Sequence, residues 1–195
     1  MEKILFVDAC MRGSEISRTH RLCREYLKNY ASVQPIFKLD AVDLTKKIPS
    51  CYNSGALKNR ENLLAEGKTD SATFLQARQF AQADRIIVGA PYWDLSFPAA
   101  LKAYVENIAV RNITFKQTVA GMEGICRAKK LVYITTAGGY IAKKADFGTE
   151  YFRGLCEFFG IPQFESFRAE GLDIETNDPE IIMHNTFREI AKKAL

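Results

Sequence analysis

The single tryptophan of the chain stands beside a tyrosine, directly after an apolar run. The run covers residues 86–90 and leads through Pro91 into Tyr92 and Trp93. Its composition is typical of a strand that is covered on both faces. Because neighbouring residues of a strand point to opposite faces, at least one of the two rings should miss the core. A ring left uncovered at a strand end can stack on a flat ligand.

A second group of residues has the chemistry of an anion site. Ser17, Arg18 and Thr19 lie at the predicted start of a helix, after the loop that follows the first apolar run. Two hydroxyls and the free N–H groups of a helix N-terminus favour a negatively charged ligand, and Arg18 or Arg12 would add positive charge. Serine is also the ordinary N-cap residue, so Ser17 has a purely structural interpretation as well. The loop by itself leaves both interpretations open.

A third loop contains two adjacent glycines after another apolar run, in the order Thr136, Ala137, Gly138 and Gly139. Glycine lets the backbone come close to a ligand and donate N–H groups to ring carbonyls. In a parallel α/β sheet the loops after the strands meet at one edge, where ligands bind. An anion site, two aromatic rings and a glycine turn suit a phosphorylated ligand with a large flat ring. FMN fits this description, and so does a nucleotide base.

Other phosphate-binding and catalytic motifs are either absent or lack one residue that they require. No G-x-G-x-x-G follows a predicted strand, which argues against a dinucleotide-binding fold. The tripeptide 67–69 has the G-K-T ending of a P-loop, but the position that needs the first glycine holds Asn62. A phosphatase-type C-x5-R motif from Cys10 would need arginine where the chain has Ile16. We therefore expect Cys10 to be a small loop residue, although a nearby helix N-terminus could lower the pKa of its thiol.

These loops must be positioned by elements that the hydrophobic periodicity predicts. Apolar runs predict strands at residues 4–7, 35–42, 85–90, 130–135 and 164–167, with a brief extended piece at 113–115. Helical periodicity predicts helices that start at Ser17, Asp70 and Pro98, and helices over 59–64, 151–159 and 179–194. Continuous apolar strands separated by helices predict a doubly wound α/β fold, with a parallel sheet and helices on both faces. The length favours a single domain over residues 1–195.

Composition narrows the classes of partner. The net charge is +4 with scattered basic residues, which argues against a nucleic-acid partner. The five cysteines form no C-x-x-C pair, so reduced thiols in the cytoplasm are expected. With two histidines in the chain, no metal site is predicted. The apolar run at the N-terminus is too short for a signal peptide, and we expect no membrane span or membrane partner.

Taken in order, these motifs resemble those of the FMN-dependent NADH azoreductases and NAD(P)H:quinone oxidoreductases, which have the flavodoxin-like fold. The family's S-x-S/T, A-P-M-Y-N-F and T-S-R-G-G motifs are similar to residues 17–19, 90–95 and 135–139. Its V-T-F and P-E-G-L pieces are similar to residues 113–115 and 122–125. The resemblance implies a five-stranded parallel sheet of order 2-1-3-4-5 and tightly but non-covalently bound FMN.

The resemblance also assigns the contacts to FMN. They fall on Ala9, Ser17, Arg18, Thr19, Pro91, Tyr92, Trp93, Asp94, Leu95, Thr136, Ala137, Gly138 and Gly139. Three of these depart from the family pattern. Ala9 stands where many members have serine, Asp94 replaces an asparagine and Ala137 replaces a polar residue. An ionised Asp94 near the ring would oppose the negative charge of reduced flavin and lower its reduction potential, unless the side chain points away.

By the same resemblance, the chain is an enzyme in which a reduced nicotinamide and then a quinone or azo compound exchange hydride with the flavin in alternation. The flavin carries the chemistry, so no catalytic side chain is assigned. The family is usually dimeric, and Phe115, Tyr140 and an aromatic near Phe147 are the candidates to line a substrate pocket completed by the second subunit. The sequence carries no determinant that selects NADH over NADPH or names the physiological acceptor.

Two further classes of function stay open at this point. A flavodoxin-like electron carrier would bind flavin without turnover, although such carriers are usually acidic and have a different phosphate loop. A flavin or nucleotide sensor that has lost turnover is the other, and Ala9, Asp94 and Ala137 are the features that keep it open. Oxidation of NADH by a quinone would separate the enzyme from both.

Overall fold

A five-stranded parallel sheet organises the molecule, and its strand order follows from the crossover helices. The computed structural model describes residues 1–142 and 145–193. Its strands are β1 (Glu2–Asp8), β2 (Phe37–Asp43), β3 (Arg85–Gly89), β4 (Phe115–Thr118), β5 (Gly121–Gly124), β6 (Lys130–Thr136) and β7 (Gln163–Ala169). The large sheet has the order β2-β1-β3-β6-β7. Counted within that sheet, the order is 2-1-3-4-5, which confirms the prediction.

Helices cover both faces of this sheet. They are α1 (Arg18–Val33), α2 (Ser54–Ala65), α3 (Leu75–Gln82), α4 (Ala99–Ile108), α5 (Phe147–Phe159) and α6 (Pro179–Lys193). Alternation along β1 shows how the strands serve two cores: Ile4 and Phe6 pack with α1 and α6, whereas Leu5 and Val7 pack with α3, α4 and α5. The doubly wound arrangement expected from the apolar strands is therefore confirmed.

Several predicted boundaries were displaced. The helix expected from Asp70 is a 3-10 turn over Ala72–Phe74 that leads into α3, and Pro98 is the residue before α4 instead of its first residue. The helix expected over 59–64 is the longer α2, and α5 begins at Phe147, before the predicted residue 151. The last helix was predicted to reach Ala194, which lies outside the described residues. Gly160 ends α5 in the left-handed conformation with φ 74°, as its glycine indicated.

A small hairpin was not foreseen. The extended piece predicted at 113–115 is the start of β4, which pairs with β5 in an antiparallel two-stranded sheet. Gly124 in β5 packs so closely on the backbone of Phe159 and Gly160 that no side chain fits there. The hairpin is thereby attached to the C-terminal end of α5. None of the helices in the described part of the chain has the length and apolar character needed to cross a membrane.

Candidate cofactor-binding site

A pocket opens at the carboxyl edge of the sheet, where the loops after β1, β3, β6 and β7 converge. Its enclosed volume is about 90 Å³. The lining residues come from four separate segments, and they are Met11, Arg12, Ser17, Arg18, Thr19, Pro91, Tyr92, Trp93, Thr136, Ala137, Gly138, Leu172 and Asp173. The structure thus brings together the three loops that the sequence singled out and adds a fourth.

One end of the pocket is built to hold an anion. Ser17 is the N-cap of α1, and its hydroxyl oxygen accepts a hydrogen bond from the N–H of His20 at 3.2 Å. The N–H groups of Arg18 and Thr19, in the first turn, have no acceptor among the described residues. The Ser17 hydroxyl keeps its own proton for a ligand, and Arg12 and Arg18 line the same space. The capping and anion-binding interpretations of Ser17 are therefore compatible.

A buried hydrogen bond joins the first loop to the third. The hydroxyls of Thr19 and Thr136 lie 2.6 Å apart, and both residues are buried. If Thr136 is the donor, Thr19 accepts and its own hydroxyl proton remains available to a ligand. The bond fixes the N-terminus of α1 against the end of β6. It therefore sets the distance between the anion-binding end of the pocket and the glycine turn.

An acidic residue beneath the first loop fixes the shape of that loop. The Asp8 carboxylate accepts a hydrogen bond from the N–H of Cys10 at 2.9 Å, and its other oxygen lies 3.5 Å from Nε2 of His20. Both side chains are largely buried. His20 lies in α1, and the other histidine, His184, lies in α6.

The surroundings of Cys10 do not activate its thiol as a nucleophile. It is buried, and a hydrogen bond with Cys23, together with burial, raises the pKa of its thiol far above the ordinary value. The N-terminus of a nearby helix therefore does not lower the pKa of this thiol. The expectation that Cys10 is a loop residue without chemistry agrees with this environment.

The two aromatic residues have different roles. Tyr92 is anchored at both ends, because its N–H donates to the Thr136 carbonyl at 2.8 Å and its hydroxyl donates to the Ala145 carbonyl at 2.9 Å. Trp93 is 44% exposed at the mouth of the pocket. The expectation that one ring misses the core is confirmed, and the uncovered ring is the tryptophan.

Asp94 and Leu95 form a tight turn beside Trp93. Their φ angles are 48° and 70°, and Trp93 and Ser96 exchange backbone hydrogen bonds of 3.2 and 2.8 Å across the turn. Two successive positive φ angles define a type I′ turn, which ordinarily takes asparagine and glycine. Leucine in this conformation is strained. The N–H groups of Asp94 and Leu95 point out of the turn and find no acceptor among the described residues.

The glycine turn leaves no room for a side chain at its first position. A Cβ on Gly138 would lie 2.3 Å from Oδ2 of Asp173, whereas a Cβ on Gly139 would meet nothing within 4 Å. The N–H groups of both glycines have no acceptor in the described part of the chain. The side of the turn that faces Gly139 is therefore open to a ligand, and its donors are free.

Not every predicted contact residue lines the pocket. Ala9 lies in the core beneath it, and Asp94, Leu95 and Gly139 lie at its margin, where a ligand larger than the pocket would reach them. Sequence reasoning missed Met11, Leu172 and Asp173. The last two follow β7 in a segment without a recognisable motif, so no signal in the sequence pointed to them.

Two of the candidate substrate-pocket residues, Phe115 and Tyr140, lie far apart in the chain's own fold. Tyr140 is exposed beside the glycine turn, and its hydroxyl accepts a hydrogen bond from Nδ2 of Asn177 at 3.1 Å. Phe115 packs on Phe158, with ring centroids 5.0 Å apart, near the C-terminal end of α5 and away from the pocket. Within one chain, Tyr140 is at the site and Phe115 is not. Their contribution to a substrate pocket stays a prediction.

Comparison with known sequences gives a consistent set of relatives. Residues 2–194 match the sequence pattern of a family described as having a flavodoxin-like fold. The chain is similar to FMN-dependent NADH:quinone oxidoreductase 2 of Clostridium acetobutylicum, with 35% identity over 198 residues, covering 100% of this chain and 98% of the relative. It is 32% identical over 195 residues to an FMN-dependent NADH:quinone oxidoreductase of Clostridium beijerinckii, covering 100% and 98%.

Solved structures with a similar fold include two azoreductases. An azoreductase from Bacillus anthracis str. Sterne superposes with a TM-score of 0.87 at 26% identity, covering 100% of this chain and 99% of that one. An FMN-dependent NADH-azoreductase from Bacillus anthracis str. Ames Ancestor, in complex with FMN, superposes with a TM-score of 0.86 at 20% identity, covering 100% and 98%. The second likeness concerns the fold.

Proposed function

This chain belongs to the family of FMN-dependent NADH:quinone oxidoreductases and azoreductases with a flavodoxin-like fold, and on that premise we propose that it is an enzyme of the same activity. It binds FMN in the pocket at the carboxyl edge of the sheet. It takes reducing equivalents from NADH and passes them to a quinone or an azo compound.

The anion-binding end of the pocket supports this function most directly. The uncapped N–H groups of Arg18 and Thr19, the proton of the Ser17 hydroxyl and the guanidinium groups of Arg12 and Arg18 converge there. A terminal phosphate accepts several hydrogen bonds and carries the charge that a helix N-terminus favours. These donors match the phosphate of FMN. A ligand without an anionic group would leave them unpaired.

The remainder of the pocket fits a flat ring at its mouth. The enclosed volume of about 90 Å³ is well below the roughly 300–1,000 Å³ of ordinary ligand pockets, so the cofactor must extend over the rim. At the rim lie the uncovered face of Trp93 and the free N–H groups of Gly138 and Gly139. Stacking on the indole and hydrogen bonds to the ring carbonyls would orient the ring there.

FMN held in this pocket would supply the redox chemistry, which is hydride transfer between NADH and the acceptor. The protein contributes position. The Thr19–Thr136 hydrogen bond fixes the phosphate end relative to the ring end, and Tyr92, held at both ends, keeps the wall of the pocket in place. In this proposal no side chain is assigned as an acid or a base, and the residues of the pocket act by orienting the ring and excluding water from one side of it.

We further propose that the enzyme works as a cytoplasmic homodimer in which residues 1–195 form one domain. The five-stranded sheet contains both the first strand of the chain, β1, and the last, β7, which supports a single domain. The rim of the pocket carries exposed apolar residues that a second subunit would cover, and they are Trp93, Leu95 and Tyr140; Phe147, the first residue of α5, is exposed as well. Phe115 of the second subunit is then the candidate to complete the substrate pocket. Nucleic acid and membrane are not proposed as partners.

An anaerobic spectroscopic titration tests the proposed function. The protein is incubated with FMN, freed of unbound flavin and titrated with NADH, and a simple benzoquinone is then added. We expect retained flavin absorbance that NADH bleaches and that the quinone restores, with NADPH run in parallel. Retained flavin that neither nicotinamide bleaches would indicate a carrier or a sensor. Absence of retained flavin would refute the assignment of the pocket. Light scattering on the same sample tests the dimer.

A further inference from the structure

An ion pair crosses the pocket at its anion-binding end. Nη1 of Arg18, at the start of α1, lies 2.6 Å from Oδ1 of Asp173, in the segment after β7. Both side chains line the pocket, and they are 34% and 62% exposed respectively. The guanidinium that would contact the phosphate is therefore already engaged by a carboxylate of the same protein.

The Asp173 carboxylate is placed there by the backbone. The N–H of Asp173 donates to the Gly138 carbonyl at 2.8 Å, and the N–H of Leu172 donates to the Ala137 carbonyl at 3.2 Å. Oδ2 of Asp173 lies so close to Gly138 that a methyl group there would collide with it. The segment after β7 is thus joined to the glycine turn, and its carboxylate faces the pocket and not the bulk solvent alone.

The ion pair is not needed to attach α1 to α6. A separate bidentate pair between Arg21 and Glu180, with hydrogen bonds of 2.8 and 2.9 Å, already joins these helices outside the pocket. Buried side chains of both helices also share one core, among them Leu22 and Met183. The position of the Arg18–Asp173 pair, between the phosphate donors and the glycine turn, is therefore better explained by the ligand than by stability.

The charged residues that line the pocket favour competition between Asp173 and a ligand phosphate for Arg18. Among the described residues, the cationic ones that line it are Arg12 and Arg18, and the anionic one is Asp173. A phosphate that approaches the N-terminus of α1 needs the charge of Arg18 and is repelled by Asp173. An ion pair exposed to this degree contributes little to stability, so a ligand phosphate can displace it.

We propose that Asp173 competes with the cofactor phosphate for Arg18, so that the Arg18–Asp173 pair is a clasp that must open for FMN to bind. This inference rests on the proposed function and deepens it. Asp173 thereby sets the affinity for FMN below the value that the phosphate donors alone would give. It has no such effect on riboflavin, which has the same ring and ribityl chain but no phosphate.

Binding of two flavins to the apoprotein, followed by quenching of flavin fluorescence, tests the clasp. We expect Asp173→Asn to lower the Kd for FMN about fivefold, the upper range for an exposed ion pair, and to leave the Kd for riboflavin unchanged. Glu180→Gln is the matched control, because it removes a carboxylate paired with an arginine on the same face but outside the pocket, and it should change neither Kd. In an Arg18→Gln background, Asp173→Asn should have a much smaller effect on FMN.

The contrary outcomes are distinct. Weaker FMN binding by Asp173→Asn would mean that Asp173 positions Arg18, and an equal change for both flavins would mean that it contacts the ring or the ribityl chain. If Asp173→Asn still lowered the Kd for FMN fivefold in the Arg18→Gln background, Asp173 would act by repelling the phosphate and not by pairing with Arg18. Each of these overturns the proposal, as does an unchanged Kd for FMN. Failure of the wild-type chain to bind either flavin would instead refute the proposed function itself.

Discussion

Two adjacent glycines offer a test of how tightly the third loop is packed. A Cβ on Gly138 would lie 2.3, 3.1 and 3.2 Å from Oδ2, Cγ and Cβ of Asp173, whereas a Cβ on Gly139 would have no neighbour within 4 Å. Neither glycine is among the residues with positive φ, so alanine meets no backbone strain at either position. Gly138→Ala and Gly139→Ala therefore differ only in what the added methyl group touches.

The expected difference in stability is modest. Overpacking costs about 1–3 kcal/mol, and the half-exposed Asp173 can move, which places the cost near 1 kcal/mol. Both alanines lower the entropy of the unfolded chain by a similar amount, so that effect cancels in the comparison. For a chain of this size we expect Gly138→Ala to melt about 2–4 °C below Gly139→Ala.

Thermal denaturation of the two apoproteins, followed by circular dichroism, measures this difference. A third protein, Gly138→Ala with Asp173→Ala, removes Oδ2 and Cγ, the two nearest atoms, and leaves only Cβ at 3.2 Å, so it should recover most of the loss relative to Asp173→Ala alone. Equal melting temperatures for the two single alanine variants would refute the packing argument. So would a loss that persists when Asp173 is absent.

Three further predictions concern other parts of the site. Trp93→Leu removes an exposed stacking surface, so the Kd for FMN should rise about tenfold in a fluorescence titration while the melting temperature stays the same; a large loss of stability would show that the ring belongs to the core. Thr136→Val leaves the buried Thr19 hydroxyl without its partner and should cost about 1–3 kcal/mol in urea denaturation, part of which the double valine variant recovers; full stability would contradict the hydrogen bond. Cys51 is exposed and should be alkylated at pH 8, whereas burial raises the pKa of Cys156 to about 12, so mass spectrometry should find Cys156 unmodified until the chain unfolds. Because this pKa is raised in the folded state, Cys156 stabilises the fold below about pH 9, and that contribution is lost as the pH rises toward 12.

The sheet could be predicted because its strands carry a strong local signal. Runs such as residues 86–90 are apolar at every position, which is typical of strands covered on both faces. The hairpin of β4 and β5 gave no such signal, because its strands have four residues each and neither contains a run of apolar residues. Val119 lies at the turn between these strands and is exposed, so its apolar side chain does not indicate a buried strand. The pairing depends on contact with α5, which a local pattern does not contain.

The candidate site likewise contains residues that the sequence could indicate and residues that it could not. Ser17 and Gly138 could be identified because a helix start and a glycine turn are local features. Asp173 could not, since it reaches the pocket through backbone hydrogen bonds to residues 35 positions earlier in the chain, Asp173 to Gly138. The strain at Leu95 was also invisible, because leucine is not a residue that indicates a type I′ turn.

The strand order has a kinetic consequence. The pocket draws on segments after β1, β3, β6 and β7, and β1 is joined to β6 only through β3. No early folding intermediate with a subset of these strands would present the complete pocket. Parallel pairings between distant segments form slowly because the intervening loops must close first. FMN would thus bind after the rate-limiting step, so it would slow the loss of the folded state without speeding its formation.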